Sequence, residues 1–490
     1  MNNDNNFENI NTNEPLPLSV LPGIRQNVAA MLEQKAGILG ATELFEALQE
    51  GRLEMLPDLD LHELKQNLER WQATKSMSLG SALARAREFA EKISALDSNI
   101  VRIEVTGALR RAEELVEQVS LIAVSNDTYD TLEAFLKLPE IVEVRKRRDY
   151  KADVTLQNGL RLEFITCFPE QFATAWVLTT GTNEHRAQLR NFAYKYGYEL
   201  SLGGFLKRDD VWPAKDEAEV FRYLGLPYIP SELCNGNGEI EAIQKGEMSL
   251  DLVTLAEIKG DLHAHSNWGN GSASIEEISR AAAKRSYRYL LLADHAGQST
   301  NLDKLLQQRA AIFRVNDVLA QEGYNFSLLW GAEVEILPNG TLSLPDEILS
   351  QLEIVIAAIH SGLHQERKQI TERLIKAMQN PHVDIVAHPT GRILNLREPA
   401  DLFMLKIFVA ARETGTVLEI NGNPDRLDLK SEHIRQALEE KAKLVISSGA
   451  HSPQALAHLE YGVLTARRGA ARASDILNTL ELNKLKAALK

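Results

Sequence analysis

His263 and His265 flank a single alanine in the stretch KGDLHAHSNWGNGS, residues 259–272, just after a short apolar run. Side chains at i and i+2 share one face of a strand, so two imidazoles placed this way can grip one ion. Similar groups close the later apolar runs: His295 after YLLLAD, Glu333 in LLWGAEVE, His360 after EIVIAAI, His388 after DIVA and His451 after KLVISSGA. Asn421 ends a further run, VLEIN. Imidazole and carboxylate without a cysteine cluster suit Zn2+, Mn2+ or Fe, and a catalytic site of that kind keeps one position open for water. One histidine in a loop is ordinarily just a satisfied polar residue. Six histidines and a glutamate at the same ends of successive runs point instead to a metal site. Ten of the twelve histidines follow Asp261, a bias that a scattered surface population would not show.

The elements that carry these residues alternate. From Lys259 onward the β-rich runs are separated by helical text such as SIEEISRAAAKRS, ERKQITERLIKAMQN and SEHIRQALEEK. About seven βα units argue a parallel sheet closed into a barrel, with an open doubly wound sheet as the alternative. A βα barrel gathers its functional side chains at the C-terminal ends of its strands. Upstream, residues 1–18 are Asn-rich and read as a disordered tail, and residues 19–97 show the three- and four-residue apolar spacing of helices. Residues 98–240 are mixed: VRIEVTG, VSLIAVS and LRLEFIT are β-rich, and Arg186 to Gly225 returns to helix and turn. Residues 241–258 continue a polar, turn-rich stretch that reads as a linker to the barrel, residues 259–490.

A chain of 490 residues has room for several domains, and 44% apolar with 25% charged residues is ordinary for a globular protein. The net charge of −14 argues against a general polyanion binder. The one dense basic run is RKRRDYK, Arg145 to Lys151. Its ordinary reading is a solvated strand edge, and DNA contact is the alternative. No apolar run reaches the ~18–20 residues that span a bilayer, and the N-terminus lacks the pattern of a secretory signal. Cys167 and Cys234 make no disulfide framework, so a cytoplasmic setting is expected.

The motifs GDLHAHS, ADHAGQS, GAEVEIL, AAIHSGL, AHPTGRIL, NPDRLDL and SSGAHS follow one another in the order of the polymerase-and-histidinol-phosphatase (PHP) domain. The version they most resemble is the one fused to bacterial family X DNA polymerases. The resemblance implies a distorted (β/α)7 barrel with up to three metal ions. The first would sit on His263, His265 and Glu333, the second on Glu333, His360 and His388, and the third on His295 and His451. Two family aspartates are replaced, by Asn270 at the third site and by Gly449 at the first. Glycine offers no side-chain ligand and asparagine only a neutral carbonyl oxygen. Three divalent cations against one bridging Glu333 would leave buried charge uncompensated. One or two ions, Zn2+ or Mn2+, are therefore expected per chain.

The middle region resembles a family X polymerase palm in altered form. VTGALRRAEELVEQVSLIAV keeps Gly107, Arg110 and Arg111, the residues expected to retain nucleotide or DNA contact. Ala108 stands in the family's serine place, and the two metal-binding aspartates fall on Gln118 and Ser120, the third on Glu163. Two-metal phosphoryl transfer needs carboxylates that hold both cations, so a folded but catalytically silent polymerase domain is expected. The helical region resembles the family's helix-hairpin-helix segment. Gly23 is kept there, but Arg25, Asp58 and Asp60 replace residues that would let backbone amides approach phosphate.

The expected activity, by resemblance, is metal-dependent phosphoester hydrolysis on DNA ends, as a 3′–5′ exonuclease or 3′-end processing enzyme. Glu333 carries the metal chemistry, and Arg392, just after His388, is assigned to the developing charge. A non-catalytic DNA-binding scaffold with one structural metal and a small-molecule phosphatase are the competing readings. No membrane partner is expected.

Overall fold

The computed structural model describes residues 76–207, 210–297, 300 and 302–490, and before them residues 18, 24, 26–38, 44, 47–48, 51–55, 61 and 64. The expected tail before Leu18 lies outside the described residues, as do Gly23, Arg25, Asp58 and Asp60 of the expected hairpin region. The chain divides into one unit of residues 72–250 and another of residues 1–71 with 251–490.

Between residues 72 and 250 the β-rich runs form a mixed sheet. Its strands are β1 (Ile100–Val105), β2 (Val119–Ser125), β3 (Ile141–Arg148), β4 (Lys151–Leu156) and β5 (Arg161–Cys167). They lie in the order β1-β2-β5-β4-β3, and only β2 and β5 run parallel. The seven residues of VSLIAVS are all buried, as a central strand covered on both faces requires. Strand β3 at the edge is exposed along nearly its whole length. Helix Leu79–Ser94 packs on β1 and β2 through Leu79, Leu83, Ala86, Phe89 and Ile93. It thus belongs to this unit rather than to the helical region that the sequence extends to residue 97. Residues 186–225 also depart from expectation, because β6 (Glu199–Ser201), β7 (Gly204–Lys207) and β8 (Asp210–Trp212) form an antiparallel sheet there. Strands of three or four residues are too short to show a readable period.

The C-terminal runs form β9 (Gly260–Ala264), β10 (Tyr289–Leu292), β11 (Ser327–Glu335), β12 (Ile354–Ala358), β13 (Ile385–Val386), β14 (Val417–Asn421) and β15 (Leu444–Ser447). Each pairs in parallel with the next. A parallel bridge between Ala264 and Ala450 joins the first strand to the end of the last, with His265 N donating to Ala450 O at 2.7 Å. The result is a nearly closed seven-stranded parallel barrel, and the open-sheet alternative falls away. Leu262, Tyr289, Leu291, Leu329, Ile354, Ile356, Ile385, Val417 and Val445 share one cluster inside it. The neighbouring residues of alternate parity, such as Leu290, Ala332, Val355 and Leu418, face the surrounding helices. This two-residue alternation decides which side chains reach the mouth. Among the described residues, no helix is long and apolar enough to cross a membrane.

Candidate metal centre

Glu333 continues the inward parity of Leu329 and Gly331 along β11, and His360 continues that of Ile356 and Ala358 past β12. His388 follows Ala387 with φ of +28°, a left-handed conformation rare for a residue with a side chain and often found at functional sites. His295 sits in a two-residue strand paired with β11, where its Cα partner is Glu333 itself. All seven expected ligands converge. His263, His265, Glu333 and His388 are buried, while His295 keeps an exposed edge.

Glu333 divides its carboxylate between two sets of imidazoles. Oε1 lies 3.0 Å from Nε2 of His360 and 3.0 Å from Nε2 of His388. Oε2 lies 3.3 Å from Nε2 of His263, 3.5 Å from Nε2 of His265 and 3.2 Å from Nδ1 of His295. The Nε2 atoms of His263 and His265 stand 3.1 Å apart. Three groups have ligand atoms mutually within 4.8 Å: His263 with His265 and Glu333, His295 with Glu333 and His360, and His265 with His295 and His451. Nitrogen and carboxylate oxygen donors at this spacing fit a divalent cation of the zinc or manganese class. Buried Nδ1 atoms of His265 and His388 have no hydrogen-bond partner among the described residues, while their Nε2 atoms face His263 and Glu333.

The surroundings sort these groups by charge. Burial opposes charge on His263, but the Glu419 and Glu333 carboxylates outweigh it and hold its pKa well above the usual value. Burial likewise opposes charge on His360, yet Glu333 and Glu335 raise it to about 9. His265 and His451 go the other way. Burial, then neighbouring imidazoles, push His265 well below its usual value, and burial brings His451 down to about 3. Contact with Glu333 alone does not decide the charge: His263 and His360 each have a second carboxylate behind the ring, whereas burial lowers His388 to about 4 and also lowers His295, although both touch Glu333. Asn270 belongs to the loop beside His451: Gly271 N donates to Ser266 O at 2.9 Å and Ser272 N to His451 O at 2.7 Å. The buried Oδ1 of Asn270 has no partner among the described residues.

Three important side chains escaped the sequence reading. Glu419, fully buried on β14, places Oε1 2.7 Å from Nδ1 of His263, and its Oε2 accepts from the backbone N of His388 at 2.7 Å. Glu335 places Oε2 2.7 Å from Nδ1 of His360. Both carboxylates orient a ligand ring and leave its other nitrogen toward the pocket. Their signal was a carboxylate of inward parity in VLEIN and a second one two residues after Glu333. The third is Arg426, whose Nη1 donates to Arg392 O at 3.4 Å and whose charge adds to burial in lowering His388 and His295. It stands in the quoted NPDRLDL.

Arg392 is held against the loop after β14. Its Nε donates to Arg426 O at 2.8 Å and its Nη2 to Leu427 O, so the buried guanidinium clasps the loop after β14. Backbone carbonyls of that loop are among its partners. The expected nucleotide contacts of the middle unit are also turned inward. Arg110 donates to both oxygens of Glu217 and to Thr180 Oγ1, and it stacks 3.4 Å over the Trp176 ring. Arg111 donates to Thr180 O and pairs with Glu113. Gly107, with φ of +64°, brings its backbone close to Ser120, where an added Cβ would meet Oγ at 3.2 Å. Glu163 faces Ser120 across β5 and β2 and is ion-paired with Lys151. Among the described residues, the groups of three converging metal-ligand side chains all lie in the barrel.

Residues 175–235 match the DNA polymerase beta thumb family. The chain is 34% identical over 488 residues to the DNA polymerase/3′-5′ exonuclease PolX of Bacillus subtilis, covering 97% of this chain and 84% of that protein. It is 29% identical over 241 residues to a probable phosphatase of Thermoanaerobacter, covering 47% of this chain and 94% of the relative. A solved polymerase beta of Leishmania infantum aligns at 16% identity with a TM-score of 0.30, over 42% of this chain and 92% of that one.

Proposed function

The chain belongs to the PolX family of bacterial family X DNA polymerases with a C-terminal PHP domain, and from that premise we propose that its working site is the barrel, as a metal-dependent phosphoesterase on DNA 3′ ends. The division of Glu333 between two imidazole sets carries the reading. His263 and His265 would hold one cation with Oε2, and His360 and His388 a second with Oε1. A divalent cation bound there supplies Lewis-acid activation of water and of a phosphate oxygen. Glu419 and Glu335 keep the His263 and His360 rings in the tautomer that leaves Nε2 free. Arg426, rather than Arg392, supplies the fixed positive charge beside the reacting phosphate. The His265–His295–His451 group, with Asn270 in the family's acidic place, holds its ion weakly or not at all.

The polymerase half is read as silent. Gln118 and Ser120 stand where two aspartates would hold cations, and Lys151 neutralises the remaining Glu163. A name containing both activities, borne by the Bacillus relative, is compatible with the loss of one of them in this chain.

The barrel's likeness to probable phosphatases, with a net charge of −14, favours a second reading in which the substrate is a small phosphate ester. Metal content of the purified chain, together with hydrolysis of a 3′-labelled oligonucleotide and of a phosphomonoester series in Mn2+, tests both. One or two ions per chain and Glu333-dependent cleavage from the 3′ end support the first reading. Monoester turnover without oligonucleotide cleavage supports the second. Less than one tightly held ion and no turnover would leave a DNA-binding scaffold.

A further inference from the structure

The basic run that the barrel chemistry leaves unused is strand β3 with the turn that follows it. We infer that this edge is the surface on which the chain takes the sugar-phosphate backbone of DNA, an inference that rests on DNA being the substrate. Arg145, Lys146, Arg147 and Arg148 are consecutive and exposed on the outermost strand of the mixed sheet. Arg147 is paired with Glu133, but Arg145, Lys146 and Arg148 have no carboxylate partner among the described residues.

Three observations favour a polyanion over the other uses of a sheet edge. The register of β3 slips between Ile141 and Glu143 and again between Val144 and Lys146, which leaves Arg145 as an extra residue. Two irregularities in one short strand spoil the regular row of amides and carbonyls that an added strand would need. At the tip, Arg148 is the direct cross-strand partner of Lys151 across the two-residue turn Asp149–Tyr150. Lys151 is already ion-paired with Asp153 and Glu163, so the charge left uncompensated at this tip is that of Arg148, which an anion from outside would neutralise. Finally, the chain as a whole carries −14, so a DNA backbone needs a local basic surface to approach at all. Contacts of this kind are independent of base sequence, as an end-processing enzyme requires.

The test uses the full chain and the double variant Arg145→Glu/Arg148→Glu, which reverses charge while keeping the edge charged, and so preserves any protection against strand pairing. Binding of a labelled duplex with a recessed 3′ end is measured in chelator over about 50 to about 200 mM salt. Loss of two phosphate contacts should weaken binding about tenfold at the upper salt and flatten the slope of log affinity against log salt by about 1.8, at about 0.9 per contact. Arg145→Gln/Arg148→Gln should give a smaller loss in the same direction. Unchanged affinity and slope in both variants, with thermal melting as in the wild type, would overturn the assignment, and so would equal binding to phosphatidylserine vesicles. Hydrolysis of bis(4-nitrophenyl) phosphate stays at the wild-type level in the variants. A chain that hydrolyses no ester but still loses DNA affinity on charge reversal would refute the proposed activity and uphold this surface.

Discussion

Glu419 lies directly beneath His263, with Oε1 2.7 Å from Nδ1 and both side chains buried. The same carboxylate accepts from the backbone of His388 through Oε2, so one group ties a ligand of each expected cation to the barrel floor. Replacing Glu419 by Gln keeps the shape and removes the charge. Orienting carboxylates of this kind are worth about 10–100-fold in metal affinity. Glu419→Gln should therefore bind Mn2+ about 10–100-fold more weakly in a titration. An unchanged affinity would reduce Glu419 to a packing residue.

Glu333 and the outer histidines should separate cleanly. Glu333→Gln removes the carboxylate whose two oxygens face both imidazole sets and should abolish hydrolysis in steady-state assays. His360→Ala should reduce kcat by at least about 100-fold, within the range attributed to one well-placed charge-stabilising group. His451→Ala should cost about tenfold or less, because the group it belongs to is three imidazoles with no carboxylate among them to offset a cation's charge. Equal losses at His360 and His451 would mean that the third group takes part after all.

The two replaced aspartates differ in how readily they can be restored. Asn270 has a buried oxygen without a partner among the described residues, in the loop that Ser272 ties to His451 O, so Asn270→Asp adds a negative charge to that loop without adding a heavy atom. Metal per chain at fixed Mn2+ should rise by about one ion in elemental analysis. Gly449 has φ of +60°, and a Cβ there would meet Nδ2 of Asn421 at 2.9 Å. Gly449→Asp should destabilise the chain by about 1–3 kcal/mol in urea unfolding, and Asn421→Ala should recover part of that loss. The barrel has closed around glycine here, not merely lost a ligand.

Primer extension on gapped DNA should be absent in the wild-type chain with either Mg2+ or Mn2+. Lys151 occupies Glu163 with a side-chain ammonium, and Ser120 opposite it brings no second carboxylate. Extension that survives Glu163→Gln would show a contaminating enzyme. Extension that Glu163→Gln removes would overturn the silent-palm reading.

The barrel and the convergence of its candidate ligands could be read in advance because most of these residues close an apolar run, and a run that ends in histidine is visible without coordinates. Glu419 obeys the same two-residue parity, but it lies within VLEIN rather than at its end, where a buried carboxylate looks like an ordinary strand residue. The two loop arginines could not be ranked from text. Arg392 and Arg426 each follow a strand end by a few residues, and only the fold shows that the first clasps the loop carrying the second. Helix Leu79–Ser94 was misassigned for a similar reason. Its amphipathic spacing declares a helix but not which sheet it covers.

His458 should make the barrel acid-sensitive at a place apart from the candidate ligands. It ends the turn Gln454–His458, and its carbonyl presses on Gly422, where an added Cβ would lie 2.3 Å away. Burial, then the charge of Arg285, lowers its pKa to about 4. The unfolded chain binds this proton near the usual histidine value of about 6.5. Between the two values the unfolded state holds more protons, so the contribution is fully present above about pH 6.5 and is lost as pH falls through about 4. The full loss is roughly 3 kcal/mol, at about 1.4 kcal/mol per pKa unit. His433, lowered to about 4 by burial and then by Lys430, adds in the same direction. Urea unfolding of the wild type and of His458→Gln should give curves that differ more at about pH 7 than at about pH 4.5, the variant losing less stability on acidification. Parallel pH dependences in the two proteins would show that His458 titrates alike in the folded and unfolded chain.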